Sequence, residues 1–349
     1  MTMKRSAFPA DRLLAIAFVL MITFVLAGMT AGETQASFTG TSTNPTNQSV
    51  TMTVQPPASQ NNTTSAAAGV VNLSWTATPT APGTGHTLSY DVLRGPVGGP
   101  YTFVANTSGL SLSDTPSSDG TYEYVIQAKI AGGGTFSSSS SAAKSGISDR
   151  LAPTRAITCN SAACAATWYN ATVSVTISGT DGGTGMGSVT RNVDSAGQIS
   201  TGGSSATFTV SGDNAGHVVQ YFSTDAAGNP SSTGSQTIKV DGTAPTAVTG
   251  LLSATGVGGA PITVDLSWTA GTDALSGVSG YEVRWTNNVA ACPAANVANY
   301  PNSATIGAVT TYQVPSPTVG DKHCAYLVTI DNAGNRSASS AVTGPTKSK

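Results

Sequence analysis

The chain has 349 residues, which is enough for two or three domains that each bury their own core. Charged residues make up only 9% of the chain, the net charge is −2, and basic residues do not cluster, so nucleic acid is excluded as a partner. Val, Ile, Thr and Tyr recur in alternating patterns throughout, which predicts an all-β protein and not a disordered one.

The first 36 residues predict an export signal or a membrane anchor. Basic residues precede an apolar stretch over residues 13–29, and Ala36 ends a small-residue motif suited to cleavage. The apolar stretch is longer than most signal cores and slightly shorter than a bilayer span, so cleavage and anchoring both remain open. We therefore expect a secreted or cell-surface protein that contacts the membrane through this segment if it is uncleaved.

Residues 37–65 are rich in Pro, Asn and Thr and predict a flexible stalk. The stretch "ASFTGTSTNPTN", which begins at Ala36, resembles the mature start of bacterial camelysin/TasA-like exported fibre proteins. That resemblance implies a matrix or fibre subunit as one alternative function.

Residues 66–148 and 245–345 share one order of predicted strands. The first segment contains "VNLSW", "LSYDVLRG" and "GTYEYVIQAKI", and the second contains "VDLSW", "GYEVRW" and "CAYLVTID". Each block alternates apolar and polar residues, as expected for a strand with one buried face.

These blocks resemble strands B, C and F of fibronectin type III domains. The resemblance implies that Trp75 and Trp268 lie in the two cores and that Tyr122 forms a tyrosine corner. The later segment has no clear counterpart of that corner, and we expect its buried face to be Cys324, Tyr326, Val328 and Ile330. Trp285 shares its alternation phase with Tyr281 and Val283, which favours packing over an exposed platform.

Residues 149–244 contain "TWYNATVSVTISGT" and "YFSTDAAGN" and resemble the OmpL47-type bacterial immunoglobulin-like module. The segments "DRLAPT" and "DGTAPT" precede the second and third units. Together the resemblances imply three tandem immunoglobulin-like/fibronectin type III β-sandwiches, joined end to end.

The motif Asp-x-Ala-Gly-Asn occurs at residues 225–229 and again at 331–335. It follows an alternating strand each time, which predicts a hairpin turn. Asp225 and Asp331 would accept backbone N–H groups, and Gly228 and Gly334 would supply a positive φ. An interaction loop and a metal loop are the alternatives to a purely architectural turn.

Calcium usually requires several oxygen donors and more than one carboxylate. The Gly-rich loops around Asp181 and Asp273 have one carboxylate each, so the sequence predicts no metal and no cofactor.

Catalytic motifs are also absent from the sequence. His86, His217 and His323 belong to no nucleophile or metalloprotease motif, and Glu123 and Glu282 fall on strands where we expect them to face solvent. The sequence therefore predicts that the protein is not an enzyme, and it identifies no binding residues.

The four cysteines permit three pairings. An exported chain meets an oxidising compartment, and pairing within the predicted domains gives Cys159–Cys164 and Cys292–Cys324. Three functions remain open: a non-catalytic adhesion or spacer protein, a carbohydrate-binding accessory of polysaccharide degradation, and a matrix or fibre subunit. The expected partner is a cell-surface protein or a polysaccharide.

Overall fold

The computed structural model describes residues 53–57, 60–132, 134–258, 261–316 and 318–349. These residues form three tandem β-sandwiches of the immunoglobulin/fibronectin type III kind, as the sequence predicted. The predicted signal or anchor and the fibre-like stretch at 36–47 lie outside the described residues. No helix among the described residues is long and apolar enough to cross a membrane.

The first sandwich packs the three-stranded sheet β1-β2-β5 against a five-stranded sheet in which β4, β3, β6 and β7 are consecutive and β8 also pairs with β6. Its strands are β1 (Gln60–Ala66), β2 (Val70–Trp75), β3 (Thr87–Gly95), β4 (Thr102–Thr107), β5 (Ser111–Asp114), β6 (Gly120–Ala131), β7 (Thr135–Ser137) and β8 (Lys144–Ser148).

An aromatic pair lies at the centre of this sandwich. Trp75 and Tyr90 meet edge to face with ring centroids 5.7 Å apart, and both are almost completely buried. The Tyr122 hydroxyl donates to the Ser118 carbonyl at 3.0 Å, so the predicted tyrosine corner is confirmed.

The predicted stalk boundary is wrong at its C-terminal end. Strand β1 begins at Gln60, and Val54 is already buried in the first core. The Gln60 side chain donates to the Tyr124 carbonyl at 2.7 Å, although the sequence placed it in the stalk. Polar residues form this strand because its backbone pairs with β2, an interaction that composition does not reveal.

The second sandwich packs the sheet β14-β11-β9 against the five-stranded sheet β10-β16-β15-β12-β13. Its strands are β9 (Ala156–Cys159), β10 (Trp168–Tyr169), β11 (Val173–Ser178), β12 (Met186–Val193), β13 (Gln198–Gly202), β14 (Ser205–Val210), β15 (Asn214–Asp225) and β16 (Gly234–Val240). Small aliphatic side chains fill its core, and it has no central tryptophan.

The third sandwich packs β17-β18-β21 against β20-β19-β22-β23. Its strands are β17 (Thr249–Thr255), β18 (Thr263–Thr269), β19 (Val278–Thr286), β20 (Asn302–Gly307), β21 (Thr311–Pro315), β22 (Lys322–Asp331) and β23 (Thr343–Lys347). Trp268 and Tyr281 meet edge to face at 5.4 Å, which repeats the pair of the first sandwich. Trp285 packs in the same core.

Strand β22 is buried on both faces, which corrects the predicted assignment of a single buried face. Ala325 and Leu327 enter the sandwich core, whereas Cys324, Tyr326 and Val328 form a separate cluster on the outer face of the sheet. The outer face is buried because the segment before β20 folds over it and places Tyr300 edge to face with Tyr326 at 4.9 Å.

Glu282 is also buried, contrary to the expected exposure. It lies on the same outer face, opposite Val328, and forms ion pairs with Arg284 at 2.5 Å and with Arg336. Arg336 comes from the turn after β22, so the fold supplies a counter-charge that is distant in sequence. The pair of arginines offsets the cost of burying the carboxylate.

The structure contains two disulfides, Cys159–Cys164 and Cys292–Cys324, and no free cysteine among the described residues. The first closes a tight turn at the end of β9. The second ties β22 to the segment that covers the outer face of the third sandwich.

We expect loss of the Cys292–Cys324 bond to destabilise the protein more than loss of Cys159–Cys164. The chain-entropy estimate is about 4 kcal/mol for the longer loop and about 2 kcal/mol for the shorter one. Calorimetry of the Cys292→Ala/Cys324→Ala and Cys159→Ala/Cys164→Ala double variants compares the two losses under identical conditions. Equal shifts in the unfolding transitions would contradict the estimate.

Candidate functional site: the joints between sandwiches

Two short linkers connect the sandwiches and begin with an aspartate. The first is 149–154 and the second is 241–246, and both continue to Ala-Pro-Thr. Asp149 and Asp241 are buried almost completely, which is unusual for linker residues. The joints are therefore packed structures.

The Asp-x-Ala-Gly-Asn motif forms the expected turn. The Asn229 N–H donates to the Asp225 carboxylate at 2.7 Å, and the Asn335 N–H donates to Asp331 at 2.8 Å. Gly228 has a φ of 97° and Gly334 a φ of 90°, a region that favours glycine. The architectural interpretation of the motif is correct but incomplete, because its last residue also contacts the linker.

At the first joint, the Asn229 side chain bridges two sandwiches. Its Nδ2 donates to the Asp149 carbonyl at 3.0 Å, and its Oδ1 accepts the Ala68 N–H at 2.9 Å. The Gly69 N–H also donates to the Asp149 carbonyl, at 3.0 Å. Backbone from the first sandwich, the linker and the second sandwich thus share one hydrogen-bond network.

At the second joint, Asn335 makes the equivalent contact. Its Nδ2 donates to the Asp241 carbonyl at 2.7 Å and to the Thr243 carbonyl at 3.3 Å. The linker is also bound to the preceding sandwich, because the Gly242 N–H donates to Asp213 at 2.7 Å and the Asp241 N–H donates to the Tyr169 carbonyl at 2.8 Å.

The carboxylate of each linker aspartate also accepts hydrogen bonds from a loop of the following sandwich. For Asp149 this is the loop that contains Asp181, and for Asp241 it is the loop that contains Asp273. The Asp149 carboxylate accepts the Thr184 N–H at 2.7 Å and the Thr184 hydroxyl at 2.8 Å, and Asp241 accepts the Ser276 N–H at 3.0 Å. No side chain fits at Gly183, since a Cβ there would collide with the Asp149 carboxylate.

The joints also bring together carboxylates that are far apart in sequence. Asp149, Asp181 and Asp225 place oxygen atoms within 4.8 Å of one another, and so do Asp241, Asp273 and Asp331. In the part of the chain that the structure describes, none of the six forms an ion pair with a basic side chain.

Such groups of oxygen ligands could hold a metal ion of the hard, divalent kind. The sequence argument against metal counted one carboxylate per loop. That count is wrong for the folded chain, because the linker and the turn motif each add a carboxylate to the loop. The buried members already accept backbone hydrogen bonds, which stabilise their charge.

Asp149 has a lowered pKa. Burial by itself would raise the pKa of this carboxyl, but hydrogen bonds from Thr184 and from the Leu151 N–H lower it below the usual value. The ionised form is therefore stabilised in the folded joint.

The histidines lie in structural settings. The ring of His217 hydrogen-bonds to Asp194 at 2.6 Å and to the Gly212 carbonyl. Burial by itself would lower the pKa of His217, but these two hydrogen bonds outweigh it, so the pKa is raised. His323 hydrogen-bonds to Ser316 at 2.9 Å, yet its buried Nδ1 has no hydrogen-bond partner among the described residues, and burial lowers the pKa of the ring. A serine–histidine pair without a group that orients the ring lacks the third member of a catalytic triad.

No protein-family model matches the chain, and no curated protein matches it. Among solved structures, the FN1–FN3 domains of chicken CNTN1 are 14% identical, with 83% of this chain and 97% of theirs covered and a TM-score of 0.33. Domains A168–A170 of titin are 12% identical, with 84% and 98% covered and a TM-score of 0.38. At these values the similarity carries no information about function.

We expect Asn335→Ala to loosen the second joint. The substitution removes the hydrogen bond from Nδ2 to the Asp241 carbonyl and the longer contact with the Thr243 carbonyl, together worth about 1 kcal/mol, and also the bond from the same nitrogen to the Asp331 carboxylate, without changing either core. Residual dipolar couplings measured by NMR should show larger-amplitude motion of the third sandwich relative to the second. Asn106→Ala, an exposed asparagine in the first sandwich, is the matched control. Unchanged couplings in Asn335→Ala would contradict a role for this side chain in the joint.

We expect Thr184→Val to raise the pKa of Asp149. A carboxyl with a lowered folded-state pKa contributes stability above its unfolded pKa of about 3.9, and that stability is lost as pH falls through the folded pKa. The variant should therefore lose about 1 kcal/mol more at neutral pH than in acid, on top of the pH-independent loss of the bond that the Thr184 hydroxyl accepts from the Ala227 N–H. Carboxyl NMR titration combined with denaturant unfolding tests this, with Thr180→Val as the control that does not contact Asp149. A loss that is wholly independent of pH would contradict it.

Proposed function

We propose that the protein is a non-catalytic adhesion or spacer protein that is secreted or held at the cell surface. Tandem modules of this fold are typical of structural and adhesion proteins and are usually non-catalytic. The observation that carries the proposal is the duplicated joint, in which Asn229 and Asn335 bind the linker that precedes their own sandwich. A protein whose task is to hold its ends apart requires joints that resist bending.

The two disulfide bonds agree with a secreted or cell-surface location. Two disulfides suggest an extracellular protein, because thiols remain reduced in the cytosol. The surface also has few charged side chains, so long-range electrostatic attraction to a partner is weak. Recognition by such a protein depends on shape and on hydrogen bonds.

A non-catalytic role is supported by the surroundings of the ionisable groups. His217 and His323 lie in different sandwiches; two partners fix the ring of His217, whereas His323 bonds only to the Ser316 hydroxyl. The buried Glu282 is neutralised by two arginines, which leaves it unavailable as a general base. The fibre-subunit alternative is based on residues 36–47, which lie outside the described part of the chain.

We expect the purified chain without residues 1–36 to be elongated and semi-rigid in solution. Both linkers contain proline and have their first residue buried, so little slack separates neighbouring sandwiches. Small-angle scattering should give a maximum dimension of three sandwiches in line, with little dependence on salt concentration. A compact particle, or a broad distribution of dimensions, would contradict the spacer role.

A further inference from the structure

A groove of about 300 Å³ crosses the outer face of the five-stranded sheet in the second sandwich. Residues from β12, β13, β15 and the turn before β16 line it, namely Arg191, Asn192, Gln198, Gln220, Phe222 and Thr233. Its volume is at the lower end of the range for ligand pockets. The groove shares no lining residue with the hydrogen-bond networks of the joints.

Three amide side chains form a row across this groove. Asn192 pairs directly with Gln198 on β13 and with Gln220 on β15, so the three side chains project from the same face of adjacent strands. Adjacent strands are about 4.8 Å apart, a distance comparable to the length of one hexose ring. A row with this spacing can contact successive units of an extended chain.

The row has unused hydrogen-bonding capacity. The side chains of Gln198 and Gln220 make no hydrogen bond within the described chain, and Asn192 uses only its Oδ1, which accepts the Gly197 N–H at 3.1 Å. Each amide group offers two donors and one acceptor oxygen. Neighbouring hydroxyl groups of a sugar, which both donate and accept, complement such a surface.

An aromatic ring completes the groove. Phe222 follows Gln220 by two positions on β15, so both face the same side, and its ring is half-buried. It supplies an apolar surface for the C–H face of a sugar ring beside the polar row. A purely apolar ligand would leave the three amides without partners, at a cost for each.

No carboxylate lines the groove, and the one charged side chain in its lining, Arg191, packs on a ring outside the lining. The Arg191 guanidinium lies over the ring of Phe208, 4.5 Å from its centroid, and Arg191 alternates with Asn192 along β12. Neutral donors and acceptors thus dominate the lining. This excludes phosphate-rich ligands, which require clustered cations.

We propose that this groove binds an uncharged, hexose-based oligosaccharide, with Phe222 as the stacking platform and Gln198, Asn192 and Gln220 as the hydrogen-bonding row. The proposal goes beyond the spacer function, which requires no ligand. It adds a glycan-binding site to the middle of the array, on a sheet face that the joints leave open.

The test is a ligand-observed NMR titration of the purified chain without residues 1–36. The probes are cellohexaose, maltohexaose, laminarihexaose and chitohexaose at millimolar concentrations, and a galacturonic acid hexamer is the charged comparison. At least one neutral hexaose should bind, and Phe222→Ala and Gln220→Ala should each weaken binding by about fivefold or more. Phe103→Ala, which removes an exposed phenylalanine from the first sandwich, and Gln313→Ala, from the third, should leave the affinity unchanged.

Three results would overturn the proposal: no binding of any neutral hexaose, binding that survives Phe222→Ala and Gln220→Ala together, or tighter binding of the charged hexamer. Gln198→Ala, an exposed substitution on an edge strand, provides a further variant in case Phe222→Ala unfolds the sandwich. Its thermal unfolding should match that of the parent chain. Failure of every probe would leave the scattering test of the spacer role unaffected, so the two proposals can be separated.

Discussion

The arrangement of the whole molecule depends on the backbone carbonyl of one aspartate in each linker. A carbonyl in a connecting segment usually hydrogen-bonds to water. Here the carbonyls of Asp149 and Asp241 accept the side-chain amides of Asn229 and Asn335, which come from the turn at the near end of the following sandwich. Both linkers are thereby bound to the domain they enter, and the direction of each sandwich is set by hydrogen bonds instead of by linker length alone.

The same residues explain why the turn motif is repeated. In each motif the asparagine Nδ2 donates both to the aspartate of its own turn and to the carbonyl of the linker aspartate, so one amide group joins the turn to the linker. At the first joint both ends of the amide group are used, because Asn229 accepts a hydrogen bond from the first sandwich while it donates to the linker.

The three sandwiches reach stability in different ways. The first and third are centred on a tryptophan–tyrosine pair, and the first adds a tyrosine corner. The third has a disulfide and a second apolar cluster on its outer face. The middle sandwich has a core of small aliphatic side chains, and the outer face of its larger sheet carries the groove. That open face contains the amide row, so structural and recognition roles are divided between the two faces of one sheet.

The sequence by itself determined the fold class, because strand alternation and core aromatics are local patterns: Trp75, Tyr122 and Trp268 all lie where those patterns place them. It also identified both turns and both pairs of cysteines. It could not reveal the joints or the groove. The carboxylates of Asp149, Asp181 and Asp225 come from three separate loops, and Asn192, Gln198 and Gln220 come from three strands. Only tertiary structure decides which such residues meet, since strand pairing and the burial of a linker depend on contacts between segments that are distant in the chain.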